Sequence, residues 1–159
     1  MTFLSDFTLS THLPIATIAV RLVVAALLGA VIGIEREWRK RPAGLRTHML
    51  TSLAAAVFTV LTAEILHSEL FESEKAQADP IRVIEAVTAG VAFLAAGAII
   101  RNSGGVKGLT TGAAMWLAGS IGVAAGLGQF AIGAIAAALG LIVMYGVGKL
   151  EVAAEEPKG

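Results

Sequence analysis

The sequence predicts an all-α membrane protein, a bundle of about five transmembrane helices, and three observations point to it. Hydrophobic residues make up 56% of the 159-residue chain and charged ones only 15%, whereas soluble domains carry roughly half and roughly a quarter. Apolar runs of spanning length, about 20 residues each, recur along the chain. Connections of about 2 to 8 residues between such runs leave room for no more than five.

The runs fall in order. Residues 1–14 read as an exposed lead-in, without the basic stretch that opens a secretory signal. Span one covers about 15–34 and is interrupted only by Arg21; it ends in the charged segment Glu35 to Arg41, closed by Pro42. Span two covers about 47–66. A Glu-rich stretch, His67 to Asp79, and Pro80 precede span three at about 81–100, which opens with Arg82 and Glu85. The turn Arg101 to Gly108 leads to span four at about 109–127, whose glycines make it the weakest span and a candidate for re-entry. Gly128 and Gln129 allow a tight reversal into span five, about 130–148. Residues 149–159 read as a short charged cytoplasmic tail.

Lys and Arg gather in cytoplasmic loops. Arg36, Arg39, Lys40, Arg41, Arg46, Arg101, Lys107, Lys149 and Lys158 share one side of a five-span protein, with Lys75 and Arg82 on the other. The N-terminus is therefore expected outside and the C-terminus in the cytoplasm.

Several function classes drop out. A net charge of zero and a pI near 6.8 lack the basic surplus of a nucleic-acid partner. The chain has no Cys, which removes disulfides, thiolate nucleophiles and thiolate metal sites. His12, His48 and His67 form no ligand pair at helical spacing, and Ser103-Gly104-Gly105 lacks the context of a nucleophile elbow. No enzyme activity and no cofactor are expected, and a metal site is left undetermined.

A shift of about 64 residues aligns Gly33 with Gly97, Gly44 with Gly108, Leu45 with Leu109 and Thr47 with Thr111. This suggests a parallel helix-pair repeat, spans one and two matching three and four. It sets Arg21 opposite Glu85, each roughly 8 to 9 Å deep at a helical rise of about 1.5 Å per residue. Charge at that depth is costly without a partner, so Arg21 is expected to pair with Glu85, with Glu64 nearby. Such a cluster reads either as an outward-facing polar pocket or as a structural lock, with snorkelling of the long side chains a further reading.

Small residues mark helix contacts. Gly29 and Gly33 continue a four-residue stripe from Arg21 and Ala25, Gly97 is the repeat mate of Gly33, and Gly119, Gly122 and Gly126 line one side of span four. They fit packing within one chain, with another copy or with a different membrane protein. The richest polar cluster is the cytoplasmic rim: Glu35, Arg36, Arg46, Thr47, His48, Arg101, Lys107, Thr110 and Thr111. Helix starts at Thr47 and near Thr110 would offer free amides to an anion; the alternative is that these basic residues orient the chain and touch lipid headgroups.

Four sequence blocks then resemble the MgtC/SapB family of bacterial inner-membrane proteins. They are Gly33-Ile34-Glu35-Arg36-Glu37 with Pro42 to His48, Asp79 to Val83, Phe93-Leu94-Ala95-Ala96-Gly97, and Val106 to Thr111 followed by Trp116. The third block departs from the family's usual Phe-Leu-Gly-Ala-Gly, Ala92 stands where Gly is expected, and Gly112 stands where Ala is usual. Better-studied members carry a soluble C-terminal domain, which is not expected here. The resemblance implies a part in adaptation to magnesium limitation and, in pathogens, in survival inside host cells. Its expected function is that of a regulatory or accessory factor in magnesium or ion homeostasis, acting on another membrane protein. The alternative is a channel or transporter for Mg²⁺ or another ion, with a path from Arg21, Glu64 and Glu85 to Glu35, Arg46 and Arg101.

Overall fold

A computed structural model describes residues 11–67, 79, 81–102 and 105–147. The expected tail at 149–159, most of the lead-in, and Lys75 lie outside the described residues. Among those described, the chain forms five α-helices: α1 (Ile15–Trp38), α2 (Leu45–Leu66), α3 (Ile81–Gly97), α4 (Leu109–Gly126) and α5 (Phe130–Ile142). A single π-helical turn, Val143–Val147, continues α5. The all-α membrane class is therefore the observed one. α1, α2 and α4 are long and apolar enough to cross a membrane, and the chain is a multi-pass membrane protein.

The contacts show that successive helices alternate in direction. Gly29 of α1 faces His48 and Ser52 while Gly33 faces Leu45, so α1 and α2 run antiparallel. α4 runs antiparallel to α3, through Gly112 on Ala95 and Gly119 on Val91, and parallel to α2, through Gly122 on Ser52 and Gly126 on Thr59. α5 lies against α1 and α4, with Gly133 on Leu28 and Gly140 on Leu117.

α4, the weakest span by composition, is the most enclosed element, with 61% of its spanning window buried. Its glycines lower its apolarity and raise its fit, because backbones can approach only where no Cβ intervenes. A Cβ on Gly122 would stand 2.1 Å from Ser52 O. The core where α1, α2 and α4 meet is accordingly made of small residues, Ala25, Ala56 and Ala125.

Four boundaries differ from the sequence expectation. α1 does not stop at residue 34 but continues to Trp38, because Glu35 and Arg36 turn inward. Its end is a Schellman closure: Arg41 N donates to Arg36 O and Lys40 N to Glu37 O, with Lys40 at φ 51 and Pro42 following. α2 starts at Leu45, two residues ahead of Thr47. α3 ends at Gly97, not 100, and the chain then pairs Ile100–Asn102 (β1) with Gly105–Lys107 (β2), antiparallel, Arg101 opposite Val106. α5 gives way to the π turn at Val143. Gly108 joins the hairpin to α4 at φ 92, where an added Cβ would lie 2.1 Å from Ala98 O, so glycine is required on both counts.

The 64-residue shift reproduces the helix starts, Leu45 and Leu109, without reproducing the packing. The α1 stripe Arg21, Ala25, Gly29 and Gly33 lies toward α2 and α4. Its counterpart on α3, Glu85, Ala89, Phe93 and Gly97, is exposed. α3 instead turns Val87, Val91 and Ala95 toward α4. It leaves an open apolar groove of about 650 Å³ beside α2, lined in part by Phe58, Leu61, Val83 and Leu94.

Candidate functional site

Most buried polar side chains among the described residues gather at the end where α1 finishes and α2 and α4 begin: Glu35, Arg36, His48, Thr51 and Thr111, with Arg36 3% exposed and His48 fully buried, while Ser52 and Thr59 are buried deeper along α2. A guanidinium is sheltered only with an anion beside it, and Glu35 supplies the charge. It takes a hydrogen bond from Arg36 Nε and stands 2.6 Å from Arg39 Nε through Oε1. The Arg39 contact is an ion pair without hydrogen-bond geometry, so Oε1 keeps unused accepting capacity. Arg39 in turn lies over the ring of Tyr145, 5.7 Å from its centre, which ties this end of α1 to the π turn.

His48 is held by its own helix. Its Nδ1 lies 2.8 Å from Gly44 O; a carbonyl can only accept, so Nδ1 carries the proton. Nε2 is left buried without a hydrogen-bond partner among the described residues, within electrostatic reach of Arg36 and Glu35. The backbone of His48 lies at the α1–α2 crossing opposite Gly29, whose added Cβ would meet His48 O at 2.6 Å. One turn on, Ser52 Oγ donates to Ala25 O at 2.7 Å and locks the same crossing.

The expected anion site at the α2 start is arranged differently. The residue flanking the helix is Gly44, with no side-chain cap, and Thr47 lies in the first turn. The amide of Leu45 is already taken by Glu37 Oε2 at 3.0 Å, a carboxylate of this chain doing what an external anion would do. At α4 the flanking residue is Gly108, so Thr110 and Thr111 are helical, Thr110 exposed and Thr111 buried. Arg46 and Lys107 are exposed and form no ion pair among the described residues. Arg101 lies in β1, opposite Val106.

At the other end, Arg21 does not meet Glu85 or Glu64. Its Nη1 donates to Gly126 O at 2.8 Å. The C-terminus of α4 is a second Schellman closure, Gln129 N to Ala124 O and Gly128 N to Ala125 O, with Gly128 at φ 80. Arg21 takes a remaining carbonyl, a cation at the negative end of a helix dipole. Arg21→Met is expected to destabilise by about 1.5 to 3 kcal/mol, the value of a hydrogen bond to a charged group, read as a fall in Tm of the purified protein in detergent. An unchanged Tm would contradict this capping role. Glu64 caps the chain entering α1, accepting from His12 N at 2.6 Å and Leu13 N at 3.0 Å. Glu85 is exposed on α3.

Two contributors were missed by sequence reasoning. Glu37 as a cap could have been suspected from the tight Lys40-to-Gly44 connection. The stack of His12 on His67, ring centres 4.0 Å apart, joins residues too distant in sequence for any pattern to show. Gly119 packs on α3, Gly122 and Gly126 on α2, and Gly97 has open space around it. Among the described residues no three His, Asp or Glu converge as a metal site.

Comparison with known proteins adds the lineage. Protein MgtC of Salmonella typhimurium is 45% identical over 109 residues, 69% of this chain and 43% of that protein. An uncharacterised protein of Synechocystis is 38% identical over 110 residues, 69% of this chain and 43% of its own length. An Escherichia coli protein named putative magnesium transporter YhiD is 33% identical over 129 residues, 81% of this chain and 60% of its own. The chain thus spans about half the length of the curated relatives it matches, and no solved structure matches. The MgtC family profile matches residues 22–153, a stretch that contains the buried Glu35–Arg36–His48 cluster and all five helices apart from the first turns of α1, and the chain belongs to the MgtC family.

Proposed function

We propose that the protein is a regulatory or accessory factor in magnesium and ion homeostasis, seated in the bacterial inner membrane and acting on another membrane protein. The observation that carries this reading is the closed centre of the bundle. Where α1, α2 and α4 meet, Ala25, Ser52, Ala56 and Ala125 are all fully buried, and Ile121 is fully buried between α4 and its neighbours α1 and α5. Three charged groups at the two ends are used within the chain: Arg21 on Gly126 O, Glu64 on the lead-in, Glu35 on Arg36 and Arg39. A magnesium path would instead offer several oxygen ligands free of competing cations.

The orientation follows the charge. Arg36, Arg39, Lys40, Arg41, Arg46 and Lys107 stand at the end shared by the α1–α2 connection and the start of α4, which the positive-inside rule assigns to the cytoplasm. The N-terminus is then outside and the C-terminus inside. The name of the Escherichia coli relative favours magnesium as the ion concerned and supports transport as the second reading. Reconstitution separates the two. Proteoliposomes loaded with a Mg²⁺ indicator are expected to show the same influx as protein-free vesicles; selective, protein-dependent influx would establish the transporter reading instead.

A further inference from the structure

We infer that the outer face of α3 is a homodimer interface, closed by reciprocal ion pairs between Arg82 of each copy and Glu85 of the other. α3 is the least enclosed of the first four helices, with only Val87, Val91 and Ala95 buried. Its opposite face carries Arg82, Glu85, Ala86, Ala89, Phe93 and Gly97, all exposed. Phe93 is 80% exposed, and an added Cβ at Gly90 or Gly97 would meet nothing within 4 Å. Under the 64-residue shift Glu85, Ala89, Phe93 and Gly97 correspond to Arg21, Ala25, Gly29 and Gly33, the stripe with which α1 packs inside the bundle. α3 thus displays a helix-packing face that no helix among the described residues covers.

The charges identify the occupant. Arg82 and Glu85 form no ion pair among the described residues, and a carboxylate on a lipid-exposed helix face is costly. Two copies inserted in the same orientation present their α3 helices parallel, with like residues at equal depth. A two-fold axis along the membrane normal makes such a contact self-complementary, residue i on j and j on i. Arg82 and Glu85 are offset along the helix by about 4.5 Å, so each guanidinium can reach the carboxylate of the other copy, giving two pairs. Ala86 and Ala89 let the backbones approach, and Phe93 of one copy can enter the hollow at Gly90 and Gly97 of the other. A different membrane protein would need its own matching cation and anion; a second copy has them by construction.

Because the chain has no Cys, one introduced thiol reports one position. Ala89→Cys in the full chain, oxidised mildly in native membranes, is expected to give a disulfide-linked species of twice the chain mass. Ile135→Cys, 60% exposed on α5, should give at least about tenfold less. Adding Glu85→Arg or Arg82→Glu to Ala89→Cys should lower the crosslinked fraction at least about tenfold, equivalent to about 1.4 kcal/mol, and combining the two reversals should restore it. Each variant is checked for native helicity in detergent, and Glu85→Gln, expected to weaken crosslinking in the same direction, replaces any reversal that fails to fold. Crosslinking at Ala89 no better than at Ile135, a product with a different protein, or insensitivity to the charge reversals would overturn the proposal.

Discussion

Glu35→Gln is expected to destabilise the bundle by about 3 to 5 kcal/mol, the cost of leaving a buried charge without its partner. Arg36 is 3% exposed and takes its compensation from Glu35; the amide that replaces the carboxylate keeps the volume and loses the charge. The Arg36 guanidinium would then lack its carboxylate partner in a site only 3% exposed, and Arg39 would lose its ion pair as well. The measurement is unfolding of the purified protein in detergent, by denaturant or by heat. Glu35→Gln combined with Arg36→Met should recover most of the loss, because removing both charges together leaves nothing uncompensated. Additive losses in the double variant, or a single variant as stable as the parent, would show that the cluster is not a buried ion pair. Glu37→Gln serves as a neighbouring control: its side chain can still accept from the Leu45 amide, so a much smaller loss is expected.

The second large effect lies at the α2–α4 crossing. Gly122→Ala places a methyl group 2.1 Å from Ser52 O and 2.8 Å from Ala55 Cβ. Neither contact is with the end of a flexible side chain, so the two helices must separate. Overpacking of this kind costs about 1 to 3 kcal/mol and occasionally more, and here it acts on the most enclosed helix. Gly122→Ala should therefore lower Tm clearly, while Gly146→Ala, with open space around it, should leave Tm unchanged. Equal behaviour of the two variants would mean that the glycines of α4 are not what brings it against α2.

Much of the fold was legible because membrane helices announce themselves by length and apolarity. The five helices begin within about two residues of where the apolar runs begin, the uncertainty normal for helix ends. What escaped was information that no side-chain pattern carries. Arg21 satisfies itself on Gly126 O, and a helix-end carbonyl has no signature in sequence, so a search for its partner turned naturally to carboxylates. The segment after residue 34 looked like a solvated rim because it is densely charged, yet Glu35 and Arg36 form an internal pair and carry α1 one turn further. Ile99 and Ile100 extended the apparent third span, although Gly97 ends the helix and the turn-rich residues that follow form a hairpin. Thr47 and Thr110 suggested where the helices start, but Gly44 and Gly108 flank them and Glu37 supplies the acceptor at α2.

The repeat was only half informative for a physical reason. Identical spacing fixes where helices start, as at Leu45 and Leu109. It does not fix how each helix is rotated about its axis, which depends on neighbours from elsewhere in the chain. α1 is gripped by α2, α4 and α5 and turns its glycine stripe inward; α3 rests mainly on α4 and turns the corresponding stripe outward.

The bundle is closed at its middle, and its interior polar groups hold helices together. Ser52→Cys tests this directly, since the substitution is nearly isosteric, the chain has no other thiol, and Ser52 is fully buried at the crossing of α1, α2 and α4. With a small membrane-impermeant thiol reagent applied from both sides, Ser52→Cys is expected to stay unlabelled under native conditions and to label fully once unfolded, while exposed Thr110→Cys labels at once. Rapid labelling of Ser52→Cys in the native membrane would reveal a water-filled path through the centre and contradict the closed bundle.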